Sequence, residues 1–142
     1  MTAEMKEREF YEKYALYQQL RAEADARLKQ RDLVANTINE ISLTISALGD
    51  IKNTEEGKEI LVPLGSGVFI AAALKDNKKM LLDLGSDTYA RKSLNEGAEN
   101  LKGRNEELQK AMVSINMELA SIEKQLAELS VEIERLSMNL KA

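Results

Sequence analysis

The chain has 142 residues, 44% of them hydrophobic and 31% charged, yet only 4% aromatic, with no Trp, two Phe and one Pro. A compact core of this size normally leans on bulky rings, so the abundance of Leu, Ile, Glu, Lys and Ala points instead to long helices. A net charge of −4 lacks the basic excess of a nucleic-acid binder. The absence of Cys excludes disulfides and thiolate metal sites, and the absence of His removes the commonest general base and metal ligand. No apolar stretch follows the polar Met1 to Arg8 as a secretory signal would require, and no run reaches the length of a membrane span. The expectation is a soluble, cytoplasmic, non-enzymatic protein without a cofactor, a nucleic-acid partner or a membrane partner.

Residues 1–49 predict a coiled-coil helix. Stepping three and four residues from Phe10 meets Lys13, Tyr17, Leu20, Ala24, Arg27, Arg31, Val34, Ile38, Ile41, Ile45 and Leu48. Lys13, Arg27 and Arg31 interrupt an otherwise apolar seam, and their long stems can lie along it with the charges in water. Gly49 suits the position after a helix end, where positive φ is needed. Residues 50–57 form a polar linker.

Residues 58–92 read as strand and contain a repeat offset by twenty residues. The run from Ile60 through Pro63, Gly65, Ser66 and Gly67 to Phe69 aligns with that from Met80 through Asp83, Gly85, Ser86 and Asp87 to Tyr89. Each copy is a short apolar run, a Gly-Ser turn and a second run carrying an aromatic, which predicts two β-hairpins in tandem, joined by a turn over 75–78. Pro63 has no N–H to donate and belongs near a strand end or on an edge. Two hairpins alone are marginal in water and expose unpaired backbone. Val62, Leu64, Val68, Phe69, Ile70, Leu74, Leu82, Leu84 and Tyr89 are more apolar side chain than so small a unit covers. The helices spend their seams on each other, so other subunits are expected to complete the sheet at these residues.

Residues 93–142 carry the clearest pattern: Leu94, Ala98, Leu101, Asn105, Leu108, Met112, Ile115, Leu119, Ile122, Leu126, Leu129, Ile133, Leu136 and Leu140, spaced four and three apart. This narrow seam is that of a left-handed coiled coil, and only Asn105 breaks it. Ser93-Leu94-Asn95-Glu96 has the form of a capping box. The two helices match at roughly 45 residues, about 70 Å each, which favours their folding back on one another, with Leu48 near Leu94 and Phe10 near Ile133. The fold class is therefore α+β, mostly α: an antiparallel two-helix coiled coil with two central hairpins. Gly97, Gly103 and Asn105 suggest either a softer root of the coiled coil or local packing.

Gly65-Ser66-Gly67 lacks the pattern and the following helix of a phosphate loop and reads as a hairpin turn. The many Glu residues read as solvated helix faces. Met1, Met5, Phe10, Tyr11, Tyr14, Leu136, Met138 and Leu140 gather near the two termini, where flexible apolar and aromatic side chains either close a ragged end or offer adaptable contacts.

The order helix, tandem hairpins, helix, together with Ile60-Leu61-Val62-Pro63-Leu64-Gly65-Ser66-Gly67-Val68-Phe69-Ile70 and the second Leu84-Gly85 turn, resembles the alpha class of prefoldin, which has two hairpins where the beta class has one. The resemblance spans essentially the whole chain. It implies an ATP-independent chaperone in which two alpha and four beta subunits join their hairpins into an inter-subunit β-barrel. Six coiled coils protrude from it, hold unfolded polypeptides at their tips and pass them to a group II chaperonin. Platform strands would run from Glu59 to Pro63, Val68 to Leu74, Lys79 to Leu84 and Thr88 to Lys92, and client contacts would fall on the terminal residues just named. The rival reading is a scaffold or filament subunit that binds no client.

Overall fold

The computed structural model describes residues 2–141. The element order is α1 (Ala3–Lys52), β1 (Glu59–Gly65), β2 (Val68–Ala73), β3 (Lys79–Gly85), β4 (Thr88–Ser93) and α2 (Leu94–Lys141). The chain divides into two compact units, Met1–Asn36 with Gln109–Ala142, and Thr37–Leu108.

In the first unit the helices pack through Leu20, Ile122 and Leu129, joined by the partly buried Tyr17, Ala24, Leu126 and Ile133. Two ion pairs fix the antiparallel register, Lys13 Nζ to Glu132 at 3.0 Å and Arg27 Nε to Glu118 at 2.7 Å. Two of the basic residues that interrupt the α1 seam, Lys13 and Arg27, thus reach across to acids on α2. One step differs from the expected seam: Leu28 is half-buried while Arg27 is exposed. The guanidinium gains more from Glu118 and water than from apolar packing, and the neighbouring Leu takes the inward place.

The α2 seam is buried or half-buried from Leu94 to Leu136. Its start is capped as expected, with Ser93 Oγ accepting the Glu96 backbone N–H at 3.0 Å. The end of α1 departs from expectation. Gly49 stays helical and the helix runs on to Lys52, because half-buried Ile51 continues the seam by one step. Thr54 Oγ1 then donates to the Asp50 carbonyl at 2.7 Å, satisfying one of the orphan acceptors of the helix end. Positive φ appears later, at Gly57.

The second unit holds the hairpins, which form two separate two-stranded sheets, β1-β2 and β3-β4. Their registers repeat the twenty-residue offset: Glu59 faces Ala73 as Lys79 faces Ser93, and Pro63 faces Phe69 as Asp83 faces Tyr89. Each has an irregularity at the same place, between Pro63 and Gly65 and between Asp83 and Gly85, so Leu64 and Leu84 stand without a cross-strand partner. The turn residues Ser66-Gly67 and Ser86-Asp87 all have positive φ, as a two-residue hairpin turn matched to strand twist requires. The β2-β3 connection is pinned by Asp76 Oδ1, which accepts the Lys78 and Lys79 backbone N–H groups at 2.8 and 3.3 Å. Asn77 Nδ2 donates to the Thr54 carbonyl at 2.9 Å.

Candidate functional site

Strand alternation sorts the hairpin side chains into two faces. Ile60, Val62 and Met80 are half-buried and Leu82 is buried, while Leu61 and Leu81, their neighbours on the other face, are exposed. Leu82, Leu94 and Leu101 are among the most buried residues of the chain. Gly97 adjoins Met80 so closely that a β-carbon there would overlap the thioether. Hairpin β3-β4 is therefore seated on the start of α2. This corrects the expectation that the helices cover none of the strands, and Leu82 is committed inside the chain rather than offered to a neighbour. The physical reason is that the seam of α2 begins beside the hairpin, and Gly97 lets β3 approach it.

Hairpin β1-β2 is different. Every residue of β2, including Val68, Phe69 and Ile70, is exposed. With exposed Leu61, Leu64, Leu81, Leu84 and Tyr89, and half-buried Val62 and Leu74, the two hairpins each show apolar surface beside unpaired strand edges. The expected residues Val62, Leu64, Val68, Phe69, Ile70, Leu74, Leu84 and Tyr89 lie at that surface. Leu61 and Leu81 belong with them and were missed. Period-two alternation opposite Val62 and Leu82 was the signal, because it makes each of these strands apolar on both faces.

In the first unit the residues near the termini divide. Phe10 is half-buried and anchors a small aromatic group, with the Tyr11 ring edge-on at 5.5 Å and the Tyr14 ring stacked at 6.3 Å. Met5, Tyr11, Tyr14, Met138 and Leu140 are exposed. Leu136 is 8% exposed and sits in the seam, so it supports the others from beneath rather than presenting surface of its own. Met1 lies outside the described residues.

The chemistry available at both surfaces is apolar burial. Among the described residues no group of three or more Asp and Glu side chains converges as a metal site. Asp76 is held below the ordinary carboxylate range, first by the Lys78 backbone N–H, against some desolvation, and then by the Lys79 N–H and the charges of Arg91 and Lys79. Its role is to fix the inter-hairpin turn.

The sequence profile described as Prefoldin, prefoldin subunit, matches residues 20–138. The chain belongs to the prefoldin family. Within it the similarity is to the alpha class. Prefoldin subunit alpha of Thermofilum pendens is 38% identical over 97 residues, 68% of this chain and 73% of the relative. That of Archaeoglobus fulgidus is 34% identical over 121 residues, 81% and 86%. A cryo-EM structure of filamentous PFD from Methanocaldococcus jannaschii superposes with a TM-score of 0.73, covering 84% of this chain and 98% of that one at 18% identity. That likeness shows the prefoldin fold, two long helices and two antiparallel hairpins. Membership carries a chaperone-type role and assembly with other prefoldin subunits. Among the described residues no helix is long and apolar enough to cross a membrane.

Proposed function

We propose that this chain is the alpha-type subunit of a cytoplasmic, ATP-independent holdase. In this reading its hairpins join those of beta-class subunits, two alpha with four beta, in a shared β-barrel. Its helix ends hold unfolded polypeptides and release them to a group II chaperonin. The observation that carries the reading is β2, exposed along its whole length although it bears Val68, Phe69 and Ile70. A monomer gains nothing from such a strand, whereas burying one large apolar side chain is worth about 1.5–3 kcal/mol.

The exposed apolar residues near the termini supply the client side. Each contact is weak alone, but several arms on one platform raise the effective concentration for a long chain. Capture is then firm overall while each contact is released readily, so a competing partner can take the client without nucleotide hydrolysis.

Light scattering of a denatured protein diluted into the assembled oligomer tests the proposal. Suppressed aggregation is expected, and deleting residues 1–14 together with 136–142 is expected to weaken it strongly while the subunit count of the assembly is unchanged. If the full oligomer leaves aggregation unchanged, the holdase reading fails and the chain is a scaffold or filament subunit.

A further inference from the structure

On α2, away from the seam, a second apolar line runs back from the helix end. Met138, Val131, Met117 and Val113 are 67, 67, 69 and 59% exposed. Exposed Ala127 and Ala120 lie between them at the same alternating spacing of three and four, interrupted by Lys124 and Glu134. This is the back of the coiled coil, where a two-helix pair normally places charge. Its flanks are uncharged at Ser114, Asn116, Ser121 and Ser130 and carry charge at Glu123, Glu128 and Arg135. A hollow of about 390 Å³ opens on its outer part, lined by Val131, Glu134, Arg135, Met138 and Asn139.

We infer that this line is a client-binding track: the back face of α2, from Met138 inwards to Val113, holds an extended apolar segment of unfolded polypeptide. The inference rests on the holdase reading. It assigns a surface that the terminal residues alone do not supply.

Size selects the occupant. At a rise of 1.5 Å per residue the line is about 38 Å long, and a helix about 10 Å wide offers roughly 400 Å² along it. Two copies packed back to back would bury about 800 Å² in total, short of the roughly 1,000 Å² that a specific protein interface needs. A stable second copy is therefore a poor fit. The anchors are also divided, with Val113 and Met117 in one group, Val131 and Met138 in the other, and about 21 Å between Met117 and Val131. An extended polypeptide spans that gap with about six residues, places apolar side chains at both groups and leaves Lys124 in water. Two of the four anchors are Met, whose flexible thioether suits clients of no fixed sequence. Met138 also belongs to the exposed group near the termini, so the track continues that surface instead of standing apart from it.

The test uses the assembled oligomer carrying Val113→Gln, Met117→Gln and Val131→Gln together. Gln is a good helix former and all three positions face away from the seam, so the melting temperature and assembly mass should match the unsubstituted oligomer. About threefold more of the variant should be needed for equal suppression of aggregation. Undiminished capture by the variant, beside an active unsubstituted oligomer, overturns the track and leaves the holdase reading standing. A fall in assembly mass shows that the face binds another copy, which also overturns it. An unsubstituted oligomer that captures nothing removes both readings together. A photoreactive phenylalanine analogue in place of Met117 gives a second measurement independent of the triple variant's folding. Client adducts at least about threefold above those from the same analogue at Gln125 support the track, and equal yields overturn it.

Discussion

Met80 on β3 and Gly97 near the start of α2 interlock: the Met80 thioether fills the space that a side chain at 97 would need. Gly103, six residues further along α2, has nothing within 4 Å of its missing β-carbon. Two glycines in one helix thus face opposite circumstances. Gly103→Ala should stabilise the chain by about 0.5–1 kcal/mol through helix propensity alone. Gly97→Ala gains the same propensity but displaces Met80 at a cost of about 1–3 kcal/mol, so the net change should be destabilising. In a Met80→Ala background its sign should reverse. Urea unfolding of the four variants measures this directly, and a stabilising Gly97→Ala in the native background would show that β3 is not seated against α2.

The ion pairs Lys13–Glu132 and Arg27–Glu118 lie fourteen residues apart on each helix, in opposite directions along the two chains. That is two heptads, so both pairs report the same antiparallel register. Their side chains are partly exposed, and each pair should contribute only about 0.2–1 kcal/mol. Lys13→Glu should lower the melting temperature, and adding Glu132→Lys should restore most of the loss. The difference should shrink at about 1 M salt, where exposed charges are screened. No restoration in the double variant would mean that the two residues do not face one another.

Most of the fold was legible because its two periodicities are unmixed. The 3–4 spacing from Leu94 to Leu136 and the twenty-residue repeat each follow from backbone geometry, and register pairs such as Pro63 with Phe69 and Asp83 with Tyr89 repeat that offset. What escaped were choices between adjacent residues and contacts between elements. Leu28 displaced Arg27 from the seam because Glu118 stands opposite, a fact that the sequence of one helix does not contain. Gly97 looked like a weak point, and its meaning depends on Met80, seventeen positions earlier. Val113, Met117 and Val131 went unremarked because a search for one seam discards whatever lies off it. Exposure separates Leu136 from Met138 as the seam spacing does, since Leu136 lies on the seam and Met138 off it.

The hairpins offer an internal comparison, since Gly67 and Asp87 occupy equivalent turn positions with φ of 77° and 57°. Glycine adopts that region without steric cost, whereas a residue with a β-carbon is strained there, by less for Asp than for most. Asp87→Gly should therefore stabilise the second turn by about 0.5–1 kcal/mol, and Gly67→Ala should destabilise the first by about 1–2 kcal/mol. Hydrogen exchange of the strand amides in the assembled oligomer would resolve the two. Protection should rise in β3-β4 for the first change and fall in β1-β2 for the second, and a uniform change in both hairpins would contradict a local origin.

Asp76 gives the turn between the hairpins a defined pH dependence. The Lys78 N–H, followed by that of Lys79, bonds the ionised carboxylate and depresses its pKa in the folded chain. A carboxyl with a lower pKa folded than unfolded adds stability that is complete above its unfolded value near about 3.9 and is lost as pH falls through the folded value. Asp76→Ala removes the acceptor at every pH, so it should be less stable than the native chain at neutral pH and converge with it in acid. Asp76→Asn keeps an oxygen acceptor but does not titrate, and should show a smaller neutral-pH loss with the same convergence. The Lys78 amide proton, followed by NMR through an acid titration, should shift with a midpoint below that of an unperturbed Asp. A midpoint at or above the ordinary value would mean that the bond to Lys78 is not formed in solution, and the turn would then owe its shape to Asn77 and the Thr54 carbonyl alone.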